Sequence, residues 1–312
     1  RAAARVRAVL RGETATLRLE GLRLSILPAA LGQLQSLKVL DLNRNQLTEL
    51  PTALCSLAAL EKLYVGNNEV TCLPAALGQL QSLKELSLSV NNLREVPEAV
   101  WSLAALEQLH LDSNKLSSLP AAMGQLQSLK ELGLSENELR ELPEAVYSLA
   151  ALEQLDVSGN ELTELPATIG QLQSLKQLWL DGNQLTELPE ALGSRAALEQ
   201  LYVRDNQLTR LPAAIWRQSL TELGLSNNQL TELPGAVGSL AALEGLYATG
   251  NLLTELPAAI GQLQSLTELD LSNNQLTELP EEVGSLAALK GLDVSGNLLT
   301  RLPAAIGQLQ SL

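Results

Sequence analysis

Phenylalanine is absent from the 312 residues, and three Trp and four Tyr bring the aromatic share to only 2%. A core of this size normally uses aromatic rings to fill irregular gaps, so an interior without them is expected to be regular and built from aliphatic layers. Histidine occurs once and cysteine twice, at Cys55 and Cys72. That is too little for a disulfide framework or a recognisable metal-ligand spacing, and it points to a reducing, cytoplasmic setting. No apolar run approaches the roughly 18 residues of a membrane span, and no leader-like segment opens the chain, so membrane insertion is not expected. Positive charge is also scarce, with 21 Lys and Arg against 35 Asp and Glu and a net charge of −14. A surface this acidic repels phosphate backbones and anionic lipid, which argues against nucleic acid as a partner. Arg1, Arg5, Arg7 and Arg11 crowd the start and read as the solvated face of a short capping helix over residues 1–13.

What is abundant is leucine, and it is periodic. Pro28, Pro51, Pro74, Pro97, Pro120, Pro143, Pro166, Pro189 and Pro212 are 23 residues apart; Pro234 comes one residue early, and Pro257, Pro280 and Pro303 restore the interval. Such a period announces a solenoid, with thirteen units over residues 14–312 forming one domain. The chain opens without Met and stops at Leu312, where another unit would begin, so it is expected to be a piece truncated at its C-terminal end. Each unit runs LxxLxLxxNxLxxLPxxLGxLxx, as in Leu60, Leu63, Val65, Asn68, Val70, Leu73, Pro74, Leu77 and Leu80. The LxL stretch alternates and reads as a short strand. Proline suits the first position of a helical turn, so each unit is predicted to return through a short helical or 3-10 segment. The fold class is therefore α/β, a parallel sheet backed by short helical turns.

One column of asparagines recurs at Asn45, Asn68, Asn91, Asn114, Asn137, Asn160, Asn183, Asn206, Asn228, Asn251, Asn274 and Asn297. A buried carboxamide there can donate to one turn's carbonyls and accept from the next backbone N–H. An aliphatic replacement would leave those groups unpaired at about 1–3 kcal/mol per site. The ladder is structural.

On these residues the chain resembles the leucine-rich-repeat family over residues 14–312, and its LPxxLGxLxxL spacing is similar to the 23-residue intracellular class of ROCO-type GTPases and plant intracellular Ras-group-related proteins. The opening Ala4-Arg5-Val6 and Leu17-Arg18-Leu19-Glu20-Gly21-Leu22 resemble that class's N-terminal cap, with Leu22 in the asparagine phase. The resemblance implies a curved horseshoe with a parallel concave sheet, and partner binding on the concave face.

Two further columns separate frame from function. Lys38, Glu61, Lys84, Glu107, Lys130, Glu153, Lys176 and Glu199 alternate in sign and are expected to pair between adjacent strands, about 4.8 Å apart. GQLQSL and SLAAL endings also alternate, doubling the period to 46 residues. Between the two inward residues of each strand lies a freely varying position, occupied by Arg18, Asp41, Tyr64, Ser87, His110, Gly133, Asp156, Trp179, Tyr202, Gly224, Tyr247, Asp270 and Asp293. Freedom from packing alone would favour small polar residues. Trp179, Tyr202 and Tyr247 are the opposite, and exposed aromatics are typical interface anchors. With neighbouring Asp181, Arg204 and Asp205 they define the candidate protein-binding site on the concave face, to which Tyr64 and His110 are added. Gly224 is expected to leave a notch for a partner side chain.

Some irregularities fall elsewhere. Arg195 replaces a repeat leucine, and the shortened Ile215-Trp216-Arg217-Gln218-Ser219 follows; a local kink or repacking is expected. Trp101 and Tyr147 take a usual glycine phase and are read as covering the convex wall, which leaves self-association open. Ser87, Asp112 and Ser113 lie near His110, but an open sheet excludes no water and supplies no oxyanion site. Neither an enzyme nor a cofactor is therefore expected. The sequence points to a recognition or regulatory module of a larger intracellular signalling protein, ROCO-like or an immune-type sensor. The competing reading is a structural spacer array without a dedicated ligand.

Overall fold

The computed structural model describes residues 2–193, 198–309 and 311; the irregularity at Arg195, the start at Arg1 and the stop at Leu312 lie outside them. A helix covers Ala2–Leu10. It ends at Gly12, whose left-handed φ of 71° lets Gly12 N–H reach the Val9 carbonyl and Glu13 N–H the Ala8 carbonyl, a glycine-terminated helix end. Val9 turns inward and is buried, while Arg5 Nη1 donates to the Arg18 carbonyl at 2.6 Å, which ties the helix to the first coil.

The chain forms two compact units, Arg1–Asn160 and Glu161–Leu312. The first carries the strands β1 (Thr16–Arg18), β2 (Val39–Asp41), β3 (Lys62–Tyr64), β4 (Glu85–Ser87), β5 (Gln108–His110), β6 (Glu131–Gly133) and β7 (Gln154–Asp156). The second carries β8 (Gln177–Trp179), β9 (Gln200–Tyr202), β10 (Glu222–Gly224), β11 (Gly245–Tyr247), β12 (Glu268–Asp270) and β13 (Gly291–Asp293). Within each unit, strands consecutive in sequence pair in parallel at the repeat offset, as in Leu40 with Leu63 and Leu223 with Leu246, and the deletion shortens that offset by one residue between Leu201 and Leu223. The middle residue of each strand points inward, and Leu40, Leu63, Leu86, Leu201 and Leu246 are wholly buried. Parallel strands need a crossover, and a 3-10 turn after each proline supplies it, for example Ala29–Gln33 and Ala258–Gln262.

Proline stands one place earlier than the sequence predicted. It is the residue before the turn, extended at φ −70° and ψ 137° in Pro28, and its carbonyl accepts the first turn bond from Leu31 N–H at 3.0 Å. The missing N–H is harmless there and the fixed φ sets the entry. A second backbone rule sits directly before each ladder asparagine, where φ is positive. Gly159, Gly182, Gly250 and Gly296 occupy that position, as do Asn67, Asn227 and Asn273. Val90 occupies it too, at φ 58° and 45% exposed, a conformation that a β-branched residue resists.

The turn side departs from the reading of Trp101 and Tyr147 as an outer cover, since both are only 1% exposed. The reason lies in the phase they occupy. A Cβ at this phase points at the next turn, and at Gly78 it would meet the Ala99 carbonyl oxygen, with the carbonyl carbon and Ala99 Cβ each at 2.8 Å. Glycine therefore lets the next turn close down. Cys55, Trp101 and Trp216 instead place a buried side chain there, and the following turn packs less tightly. In the first unit the turns consequently associate in pairs, which gives the 46-residue period a structural meaning. Among the described residues Trp101 Nε1 and Tyr147 OH find no hydrogen-bond partner, so ring volume rather than polarity decides these positions. In the shortened coil, Gln218 leaves its turn extended at ψ 165°, where the preceding coils have ψ near 60–80°, and its Nε2 donates to the Gly193 carbonyl at 2.6 Å. This is local repacking.

Two outcomes follow. Gly78→Ala should lower unfolding stability by about 1–3 kcal/mol through overpacking, whereas Val90→Asn should raise it by about 1 kcal/mol by relieving left-handed strain. Urea midpoints of the two variants, measured against the parent, check both.

Candidate binding face

Residues at alternate positions of each strand face away from the core, and neighbouring coils bring them into columns. In the first unit the charge column pairs across coils. Lys38 Nζ lies 2.8 Å from Glu61 Oε1, Lys84 Nζ 3.5 Å from Glu61 Oε2, and Lys130 Nζ 2.6 Å from Glu107 Oε2. Hydrogen bonds from these lysines hold the Glu61 and Glu107 carboxyls below their ordinary range. A parallel pair, Lys62 Nζ to Glu85 Oε2 at 2.7 Å, flanks Tyr64, which is half-buried and whose phenol is pushed up by burial and by Glu85.

His110 is also half-buried, between Ser87 and Gly133 on the neighbouring strands. Asp112 does not serve it. The Asp112 carboxylate accepts from Ser89 Oγ at 3.0 Å and from Ser135 N–H and Oγ at 3.1 and 3.0 Å. It also fills the space that a side chain at position 133 would need, since a Cβ there would lie 2.6 Å from both of its oxygens. These bonds commit the carboxylate to the frame. Asp156 sits higher than an ordinary carboxylate, chiefly from burial, with Asp112 and Glu136 adding like charge.

The second unit assembles most of the candidate site. Trp179 and Tyr202, aligned in the β8–β9 register, stack with centroids 6.3 Å apart and planes within 4°. Tyr247 lies two strands beyond Tyr202, with Gly224 between them. The notch expected at Gly224 is already filled. The Arg204 guanidinium carbon stands 5.0 Å from the Tyr202 ring centroid and 5.3 Å from that of Tyr247, and a Cβ on Gly224 would meet Arg204 Nε at 2.8 Å. Glycine is needed so that the arginine can lie between two tyrosines, a paired cation–π arrangement. Asp181 Oδ1 accepts from the Arg204 backbone N–H at 2.6 Å, which fixes the start of that side chain. Asp205 is not part of the cluster. It occupies the left-handed turn position at φ 52°, is exposed, and accepts from Asn227 Nδ2 at 2.8 Å.

Three residues join the site that sequence reasoning did not select. Glu222 has its carboxyl pushed up by burial and by Glu244, against the opposing pull of Arg204 and a Tyr247 hydrogen bond. Gly245 leaves room beside it, because a Cβ there would collide with the Glu222 carboxylate and lie 2.9 Å from Tyr247 Cε2. Thr249 Oγ1 donates to Asp270 Oδ1 at 2.6 Å. Burial raises Asp270, but bonds from Thr249 and Ser272, with the charge of Arg204, outweigh it and leave the carboxyl below its ordinary value. Gly245 was the available signal, since that strand position is otherwise mostly Gln or Glu.

The ladder asparagines lie behind the face. Asn114 Nδ2 donates to the Leu88 carbonyl of the preceding coil at 3.1 Å and to its own coil's Leu111 carbonyl at 2.9 Å, while Oδ1 accepts from Leu93 N–H at 3.0 Å. The accepted N–H thus belongs to the preceding coil. Cys55 is buried and Cys72 exposed, both as free thiols. Among the described residues no group of three or more His, Cys, Asp or Glu side chains could hold a metal ion, and no helix is long and apolar enough to cross a membrane.

Residues 15–92 and 122–213 match the profile of a leucine-rich repeat region, residues 73–116 and 196–253 that of a leucine rich repeat, and residues 264–307 that of leucine rich repeats in two copies. Among solved structures, a leucine-rich-repeat protein of Leptospira interrogans is 36% identical, with a TM-score of 0.85 over 98% of this chain and 85% of its own. An internalin of Listeria monocytogenes is 26% identical, with a TM-score of 0.87 over 99% and 92%. The receptor-kinase ectodomain GASSHO1/SCHENGEN3 of Arabidopsis thaliana, solved in complex with CASPARIAN STRIP INTEGRITY FACTOR 2, is 29% identical, with a TM-score of 0.66 over 92% of this chain and 42% of its own. No curated protein matches the sequence.

All four tyrosines have phenols pushed up, with burial the leading cause, and Tyr147 is raised furthest. The unfolded chain therefore releases its phenolic protons first. Stability is fully present below the ordinary tyrosine value of about 10 and is lost as pH rises through the folded values. Absorbance titration near 295 nm should place the tyrosine steps of the folded protein above those of the unfolded chain, and a complete step near pH 10 in the folded protein would contradict the burial described.

Proposed function

Because the chain belongs to the leucine-rich-repeat family, whose domains are generally protein-interaction modules, we propose that it recognises a protein or peptide partner across the outward face of strands β8–β11. The observation that carries this reading is the row Trp179, Tyr202, Arg204 and Tyr247, half-buried and held in place before any partner arrives. Rings and a guanidinium fixed in advance lose little side-chain freedom on binding, which is the property of interface anchors. The Arabidopsis ectodomain in complex with its factor supports a polypeptide as the class of ligand. Tyr64 and His110 on the first unit, together with Asp181 and the flanking Asp205, are proposed as secondary contacts.

The proposed setting is the regulatory or recognition module of a larger intracellular signalling protein, of the ROCO or immune-sensor type. The 23-residue LPxxLGxL spacing supports this assignment, and free Cys55 and Cys72 suit a reducing cytoplasm. Binding at an open face, rather than catalysis, is the proposed mode of action.

Trp179→Ala should weaken partner binding by about 2 kcal/mol or more and leave Tm nearly unchanged, since Trp179 lies outside the leucine core. The measurement compares partners recovered by the parent with those recovered by a variant carrying Trp179→Ala, Tyr202→Ala and Tyr247→Ala. A spacer array would retain the same partners in both, and that result would remove the proposal.

A further inference from the structure

We propose that Arg204 receives a single acidic side chain, Asp or Glu, from an extended segment of the partner that crosses strands β9–β11. This inference rests on the recognition reading above and names the chemistry it selects. Across β8 to β12, the first and third strand positions and the position two beyond carry Gln177, Gln200, Glu222, Gly245 and Glu268, then Trp179, Tyr202, Gly224, Tyr247 and Asp270, then Asp181, Arg204, Ser226, Thr249 and Ser272. Arg204 is the one basic side chain among them. Its flat faces are covered by Tyr202 and Tyr247, so its N–H edges remain its means of bonding.

The surrounding carboxylates feel the charge of Arg204, which pulls on Glu222 and Asp270, but their short bonds run to other groups. Asp270 holds Thr249 and Ser272, and Asp181 Oδ1 holds the Arg204 backbone N–H. No carboxylate among the described residues comes within ion-pair distance of the guanidinium. Its Nε is buried with no hydrogen-bond partner. The side chain is therefore posed by rings and glycine rather than by an internal ion pair. A buried Nε is out of a ligand's reach, so the two Nη groups are the donors left to a partner, and a guanidinium fixed in this way offers them as a fork to a planar carboxylate.

Charge decides against other ligands. Asp181, Glu222 and Asp270 surround the arginine, so a dianionic phosphate meets more repulsion there than a carboxylate does. The chain's net charge of −14 likewise disfavours a run of acids and leaves one acid among apolar residues. A free C-terminus is not the source, because the face continues past Arg204 to Tyr247 and Asp270 on β11 and β12, with no wall to stop a chain. Trp179, one strand beyond Tyr202, offers a ring to an apolar residue one or two places from the acid.

The test uses the whole chain and a displayed library of random dodecapeptides. Peptides selected by the parent and released by Trp179→Ala should carry one Asp or Glu beside an apolar residue, and Arg204→Glu should select Lys or Arg at that place. In a selected peptide, Asp→Asn should weaken binding about tenfold or more to the parent. It should change little against Arg204→Gln, and Arg204→Lys should recover only part of the loss; unchanged Tm of each variant shows that it is folded. Trp179-dependent peptides whose acid is dispensable would overturn this inference while sparing the recognition reading, as would affinity that depends on a free C-terminus or on phosphorylation. Selection of no peptide, or only of peptides indifferent to Trp179→Ala, would overturn both.

Discussion

A buried carboxamide at the sharp bend after each strand is the constraint on which the rest depends. The chain leaves the sheet there with carbonyls turned inward, most of which no backbone N–H pairs. Asn68 resolves this by donating to Leu42, Val65 and Gly66 carbonyls at 3.0, 2.9 and 3.2 Å while its Oδ1 accepts from Leu47 N–H at 3.0 Å. Two of those partners belong to the preceding coil, so one side chain closes its own bend and fixes the step to its neighbour. Leucine would match the volume and strand the Leu42 and Val65 carbonyls and the Leu47 N–H, while the Gly66 carbonyl would keep its bond from Arg44 N–H. The repeated step is also what aligns the outward residues into columns, so the binding face inherits its spacing from the ladder behind it.

The two sides of the coil respond differently to change. Where the chain loses a residue near Gln218, Asn228 still donates to the Val203 carbonyl at 2.8 Å, across 25 residues in place of the usual 26. The sheet side keeps its register and the turn side absorbs the deletion. The same division explains why Trp101 and Tyr147 can sit unpaired and buried among the turns while Leu86, Leu109 and Leu132 repeat without variation on the strands. Volume on the turn side sets how far one turn stands from the next, and glycine or tryptophan at one phase gives two spacings. Hydrogen bonding on the sheet side admits a single spacing.

What repeats was legible in the sequence, and what depends on a neighbouring coil was not. The strands, the proline-led turns, the asparagine ladder and the outward position of Trp179, Tyr202 and Tyr247 all follow from period, because each is decided by one residue's phase. The destination of Trp101 was misread because the glycine phase looks like surface until the next turn's Ala backbone is placed against it. Gly224 was read as an opening because its emptiness is visible in one strand, whereas the side chain that occupies it comes from Arg204 on the strand before. Asp205 was grouped with the aromatics by adjacency, yet its left-handed backbone places it in the turn. Gly245 and Glu222 went unnoticed for the same reason as the filled notch: their relation crosses two coils and two columns.

The proposed face would draw its specificity from contrast rather than enclosure. Among the described residues nothing roofs the row from Trp179 to Tyr247, so water would leave only when a partner arrives, and any electrostatic contact would be strengthened at that moment by the desolvation it causes. An isolated cation on an acidic chain is weak at long range, since the field of the surrounding carboxylates opposes whatever it would attract. At contact the short charge-assisted bonds of the guanidinium count for more than that field, because among the described residues no carboxylate stands within ion-pair distance of it to compete. Such a surface discriminates by what it can complete, and the ladder behind it keeps the incomplete group at a fixed height and register.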